Sequence, residues 1–341
     1  KVARLAGGLG WFAAVEFTIL DGDRIASTEL VPVERIDEMV VRCGAEAETA
    51  WRNLVAPRAP LTLGARIVRL DQPQAVAILN VTPDSFSDGG VFADSGEAAE
   101  AGFAMVAAGA AIVDVGGEST RPGAKPVWEG DELERILPVV RRLAASGNAV
   151  SIDTRKAAVM AGALAAGAAM VNDVSALTHD EGSAGIVAGA GCPIVLMHHQ
   201  GPPETMQQAP HYDAPVLYAV YRWLEERIAA AEAAGIARER IVVDPGIGFG
   251  KNVQHNLQLL NGLSLFHGLG CAIMLGASRK RMIGALSGEA PPDQRLAGSL
   301  AFALQGAAQG VQLLRVHDVP ETIQALRMWR GLRDAALTPA P

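Results

Sequence analysis

The chain has 341 residues, half of them apolar, with 37 glycines and few aromatics, which suits one large α/β core with a small appendage and excludes two barrels in tandem. A net charge of −8 with a pI near 5.4 excludes the net basic face that tracking nucleic acid requires. No apolar run is long enough to span a bilayer, so neither nucleic acid nor membrane is expected as a partner.

At the start, Lys1 and Arg4 precede an apolar stretch from Leu5 to Val15 that mimics a short signal sequence, but no convincing small-residue cleavage site follows. Trp11 to Leu20 reads as a strand, and Val33 to Leu54, with Ile36, Met39, Val40 and Trp51, as an amphipathic helix. Pro57-Arg58-Ala59-Pro60 reads as a connector. Residues 1–65 are therefore expected to form a small α/β extension without assigned chemistry, ahead of a barrel over 66–335. Cys43, Cys192 and Cys271 are widely spaced and fit neither a C-x-x-C nor a zinc pattern, which predicts unpaired thiols in a cytoplasmic protein.

From Gln74 onward, short apolar runs alternate with helical stretches. The runs are Ala75 to Asn80, Ala111 to Gly116, Ala149 to Asp153, Met170 to Asp173, Pro193 to His198, Ile241 to Asp244, Ala272 to Gly276 and Gln312 to His317. Between them, Glu97 to Ala108, Glu132 to Ala145, Lys156 to Ala166, Val216 to Ala234, Asn256 to Leu260 and Pro292 to Gln309 read as helices. Runs that are apolar throughout indicate strands buried on both faces, as parallel strands are. Eight such units predict a (β/α)8 TIM-type barrel, with a doubly wound sheet as the alternative; no G-x-G-x-x-G after the first run supports the latter.

The strand ends carry the unusual residues: Asn80, Asp114, Asp153, Asn172 with Asp173, His198 with His199, Asp244, and Arg315 with His317. Each alone reads more readily as a cap or turn residue. In a barrel these ends converge on one mouth, and buried without partners they would cost several kcal/mol each. A polar ligand would supply the partners. Three loops add detail. Asn80 to Gly90 is rich in turn residues with one aromatic, as in a closing lid. Gly116 to Gly123 sets an arginine between glycine and proline hinges, and Asp244 to Lys251 has glycine spacing like a phosphate loop without the G-K-[ST] ending. Ser278-Arg279-Lys280-Arg281 follows the seventh run.

Together these blocks resemble dihydropteroate synthase. The matching stretches are Ile78 to Gly90, Asp114 to Gly123, Ser151 to Thr154, Asn172-Asp173, Leu196 to His198, Asp244-Pro245-Gly246 with Phe249-Gly250-Lys251, Ser278-Arg279-Lys280 and Arg315 to Asp318, in family order over about three quarters of the chain. The resemblance implies a transferase of folate biosynthesis that joins p-aminobenzoate to a pterin methyl diphosphate with loss of diphosphate. It implies a pterin held by Asp153, Asn172, Asp244 and Lys280, with Asp114 in support, Met197 packed on the ring and Arg315 stacked over it. A pterin edge presents N–H donors to carboxylates and acceptors to cations, so the assignment is chemically coherent. It implies a diphosphate site at Asn80, Arg315 and His317, with Mg²⁺ as cofactor bound through Asn80.

The same resemblance places Phe86, Thr120, Arg121, Pro122, Phe249, Ser278 and Lys280 around p-aminobenzoate. Thr82, Asp84, Ser85 and Asp88 fall in the first lid, where Asp84 or Asp88 approaches the metal on closure. Asp153, Lys280, Arg315, His317 and Asn80 carry the catalytic expectation: loss of diphosphate leaves positive charge spread into the pterin, and the weakly nucleophilic amine then attacks. Sulfonamides, which mimic aminobenzoate, are expected inhibitors, and a homodimer is implied. Two departures stand out, the N-terminal extension and Arg281 where a small residue is often found. The rival readings are a pterin-binding methyltransferase, which leaves the lid loops and Ser278-Arg279-Lys280 without purpose, a non-catalytic pterin-binding paralogue, and a Lys280-based aldolase.

Overall fold

The computed structural model describes residues 1–82, 95–118, 126–201 and 205–337. Eight parallel strands close into a barrel: β7 (Gln74–Asn80), β8 (Ile112–Gly116), β9 (Val150–Asp153), β10 (Met170–Asp173), β11 (Ile194–Met197), β12 (Ile241–Asp244), β13 (Ala272–Leu275) and β14 (Leu313–Val316), with β14 pairing back onto β7. Seven of these strands fall within a stretch expected from its unbroken apolar character, and β7 starts one residue before its own, at Gln74. Around them lie α3 (Ser95–Ala107), α4 (Glu129–Ala145), α5 (Ala157–Ala165), α6 (Ser183–Ala190), α7 (Val216–Ala233), α8 (Val253–Asn261), α9 (Arg281–Leu286), α10 (Leu296–Ala308) and α11 (Val319–Leu337). Two of these, α6 and α9, are short and rich in small or apolar residues, so no amphipathic stripe marks them in the sequence.

Alternation along each strand divides the core in two. Outward residues such as Ala75, Ala77, Leu79, Val113, Val115, Val171, Leu196 and Val243 pack against the helices. Inward residues such as Val76, Ile112, Met170, Val195, Val242, Met274 and Leu313 fill the lower barrel. A hairpin of β5 (Leu61–Leu63) and β6 (Arg66–Val68), turning at Gly64-Ala65, adds Leu61, Leu63, Val68 and Leu70 to that inner cluster, so it plugs the barrel floor.

The first 60 residues depart from the expected single strand and single helix. The chain pairs β1 (Ala3–Arg4) with β2 (Trp11–Phe12), then folds β3 (Ala14–Asp21) onto β4 (Arg24–Pro32) as an antiparallel hairpin around Gly22. The strand expected over Trp11 to Leu20 is thus two strands with different partners, and β4 escapes a pattern-based reading because its residues are nearly all exposed. The helix expected over Val33 to Leu54 breaks at Gly44, whose φ of +83° is outside the helical region, into α1 (Ile36–Cys43) and α2 (Ala45–Val55). Arg58 fastens this appendage to the barrel. Its guanidinium donates to the carbonyls of Asn53 and Ala56 on one side and to those of His267 and Cys271 on the other, at 2.8 to 3.0 Å.

Candidate active site

The inward face that is apolar at the floor becomes mostly polar two residues further along the same strands, with Met197 as the apolar exception. Ile112 is followed on that face by Asp114, Met170 by Asn172, Val242 by Asp244, Leu313 by Arg315, and Val195 by Met197. Strand pairing lines these positions up around the mouth, with Asn172 opposite Asp153 and Met197 opposite Asp244.

Arg315 is the hub. Its Nε donates to Asp114 Oδ2 at 2.6 Å and its terminal nitrogen to Asp153 Oδ2 at 2.7 Å, while Asn172 Nδ2 donates to Asp114 Oδ2 at 2.9 Å. The other oxygens, Asp114 Oδ1 and Asp153 Oδ1, are buried without a hydrogen-bond partner among the described residues. Two buried acceptors on carboxylates that share one arginine match a ligand edge that presents N–H donors. Burial pushes the Asp153 carboxyl up to about 7 against the opposing pull of Arg315, with Asp114 adding to the rise. Burial works against the Arg315 charge too, but the attraction of Asp114 and Asp153 outweighs it and raises its pKa.

Asn80 ends β7 beside this cluster. A methyl group on Gly116 would lie 3.4 Å from Asn80 Oδ1 and 3.6 Å from Asp153 Cβ, so the two residues flank the same glycine. On the far side, Asp244 accepts from the Gly246 N–H at 2.7 Å, and burial raises its pKa. Lys280 sets its ammonium 4.0 Å from the centre of the Phe249 ring, a cation–π contact. Ser278 Oγ meets His317 Nδ1 at 3.0 Å, and burial followed by the nearby Arg315 charge lowers the His317 pKa to about 3. Arg279 lies between Ser278 and Lys280 with a φ of +55°, held there by a two-point ion pair to Asp318 and by Arg295, which donates to its carbonyl.

Asn80, Asp114, Asp153, Asn172, Met197, Asp244, Phe249, Ser278, Lys280, Arg315 and His317 thus all lie on barrel strands or on the loops that follow them at one end. Thr82 stands just past β7. Asp84, Ser85, Phe86, Asp88, Thr120, Arg121 and Pro122 lie outside the described residues. A cavity of about 200 Å³ lies elsewhere, beside the floor hairpin, lined by Arg66, Arg69 and Asn148 among others. It gathers none of the strand-end acids.

The match to known proteins agrees with this geometry. Residues 76–317 match the family model described as pterin binding enzyme. The dihydropteroate synthase of Escherichia coli (strain K12) is 47% identical over 260 residues, which is 76% of this chain and 91% of that protein. This chain belongs to the dihydropteroate synthase family. A Yersinia pestis dihydropteroate synthase, solved as a sulfonamide drug complex, superposes with a TM-score of 0.77 at 44% identity over 81% of this chain and 99% of its own. The Xanthomonas albilineans dihydropteroate synthase in complex with 7,8-dihydropteroate gives 0.72 at 44% identity, over 80% and 98%.

Several supporting residues carry no role in the sequence reading. Lys251 and His198 form a buried contact at 2.7 Å beneath the third loop. Burial drives both well below their ordinary values, helped at His198 by the Lys251 charge and at Lys251 by that of Lys280, where Asp244 pulls the other way. Lys156 joins Glu118 and Glu132 in a buried ion cluster below the second loop, with Glu118 Oε1 accepting from the Val127 N–H at 2.9 Å. Such residues escape pattern reading because their partners are distant in sequence; a lone charge in an otherwise apolar stretch is their only signal.

Proposed function

We propose that this chain condenses p-aminobenzoate with 6-hydroxymethyl-7,8-dihydropterin diphosphate to give 7,8-dihydropteroate and diphosphate, the activity of the family to which it belongs. The single observation that carries the reading is the buried Asp114–Arg315–Asp153 cluster with Asn172, two of whose carboxylate oxygens remain as acceptors inside the barrel mouth. In this reading Asp114, Asp153, Asn172 and Asp244 grip the donor edge of the pterin, Lys280 meets its acceptors, Met197 packs on the ring and Arg315 covers its face. Asn80, Arg315 and His317 receive the diphosphate. Phe249, Ser278 and Lys280 border the aminobenzoate, completed by Phe86, Thr120, Arg121 and Pro122.

The C–O bond between the pterin methylene and diphosphate breaks with its electron pair leaving on oxygen, where the Arg315 guanidinium meets the growing charge. The carbon's positive charge delocalises into the pterin and is favoured by the Asp153 carboxylate. The amine nitrogen then forms the new C–N bond and releases a proton to solvent. No nucleophilic side chain is needed, which agrees with Lys280 sitting against an aromatic ring.

Mg²⁺ would be held through Asn80, which offers one amide oxygen at the mouth, together with oxygens of the bound diphosphate. Mg²⁺ commonly keeps few protein ligands beside phosphate oxygens and waters, and when bound it would neutralise charge on the departing diphosphate. Sulfonamide inhibition, a homodimer and a cytoplasmic location complete the reading; no helix among the described residues is long and apolar enough to cross a membrane. The test is incubation with both substrates, with Mg²⁺ or with a chelator, following dihydropteroate by mass. Product that depends on both substrates and on Mg²⁺ is expected. Unconsumed substrates with Mg²⁺ present overturn the reading.

A further inference from the structure

We propose that Lys251 is a positioning residue that staples the turn after β12 to the end of β11 and so sets both Asp244 and Phe249 for the reaction. Its amino group sits 2.7 Å from His198 Nδ1, 3.0 Å from the Gly246 carbonyl and 3.0 Å from the Phe249 carbonyl. Three partners match the hydrogen-bonding capacity of a lysine head, and both Lys251 and His198 are buried. Whether the head is an ammonium donating to Nδ1 or an amine accepting from Nδ1–H, both carbonyl bonds persist. The staple therefore survives a change of protonation.

The consequences run through the turn itself. The Gly246 carbonyl that accepts from Lys251 also accepts from the Phe249 N–H at 3.1 Å, and the Gly246 N–H engages Asp244 Oδ1 at 2.7 Å. Asp244 Oδ2 then lies over Gly276, 3.6 Å from where a methyl group on that residue would be. At the other end, the bond from Lys251 to the Phe249 carbonyl fixes the residue whose ring carries the Lys280 ammonium at 4.0 Å. His198 is itself held, edge to face against Trp223 with ring centres 4.9 Å apart. One buried head group thereby links a carboxylate assigned to the pterin and an aromatic assigned to the aminobenzoate, with two strands between β12 and the β7 that carries Asn80.

This inference takes its substrates from the proposed function, so it is tested by one measurement that needs no substrate and one that does. Lys251→Met keeps length and removes every donor. Hydrogen exchange should then quicken at least ten-fold in peptides covering residues 245–251 while those covering β7, β9 and β14 keep the parent rate. The aminobenzoate KM should rise ten-fold or more, with inorganic diphosphate binding held within two-fold. His198→Leu, which cuts only the tie to β11, should show the same pattern more weakly and serves if the first variant does not fold. Parent-like exchange over 245–251 overturns the inference, as does a loss spread equally over all strands and both ligands. Absence of turnover in the parent chain counts against the functional reading alone, because the exchange measurement still decides the staple.

Discussion

Replacing Asp153 by Asn should make the protein more stable at alkaline pH and at the same time inactive. The Asp153 carboxyl is raised from its ordinary 3.8 to about 7 because it is buried, and the Arg315 contact only partly compensates. The folded state thus holds the Asp153 proton more tightly than the unfolded chain, and stability falls as pH rises from 3.8 to about 7, then stays level. At about 1.4 kcal/mol per pKa unit, keeping the carboxylate ionised costs the fold on the order of 4 kcal/mol at pH 8. An asparagine cannot ionise and escapes that loss while keeping an acceptor for Arg315. For 341 residues, at an unfolding entropy of about 2.1 cal/mol/K per residue, the gain corresponds to a Tm about 6 °C higher at pH 8, shrinking toward nothing near pH 4. Turnover should fall about 100-fold or more, since the charge facing the pterin cation is gone. The assay is thermal or urea unfolding of both proteins at several pH values from 4.5 to 8, beside single-turnover kinetics. A variant whose stability tracks the parent in parallel across that range, or lies below it at pH 8, refutes the argument.

Other substitutions probe the remaining contacts. Arg315→Met leaves Asp114 and Asp153 buried without their cation, so a loss of about 3–5 kcal/mol in urea unfolding is expected above pH 7, with turnover reduced about 100-fold or more. Gly246→Ala should destabilise by about 2 kcal/mol or more and raise the aminobenzoate KM, because φ is +68° there and the added methyl would overlap the His198 carbonyl. An unchanged urea midpoint would remove that reason for the glycine. Arg58→Met strips the donors shared by Asn53, Ala56, His267 and Cys271 at the barrel floor. Limited proteolysis within residues 45–56 should then accelerate, with stability down about 2 kcal/mol and kcat within two-fold of the parent.

The barrel is legible in the sequence because a strand buried on both faces must be apolar throughout, and all eight such runs are spaced by helix-length segments. Their polar C-terminal residues are legible for the same reason: an Asp or Arg that interrupts such a run requires explanation. The N-terminal hairpin is less legible, since β4 is nearly all exposed and leaves no hydrophobic pattern, and Gly44 interrupts what reads as one amphipathic helix.

By itself, then, the sequence determined which apolar runs form the barrel strands and which strand ends carry acids, amides and cations. Only the tertiary structure decided which of them touch. Arg315 bridges Asp114 and Asp153 across 201 and 162 positions of sequence, and Lys251 meets His198 across 53. Such pairings depend on barrel closure, which brings β14 back against β7. The raised Asp153 pKa likewise follows from burial, a property of the closed barrel that no residue possesses alone.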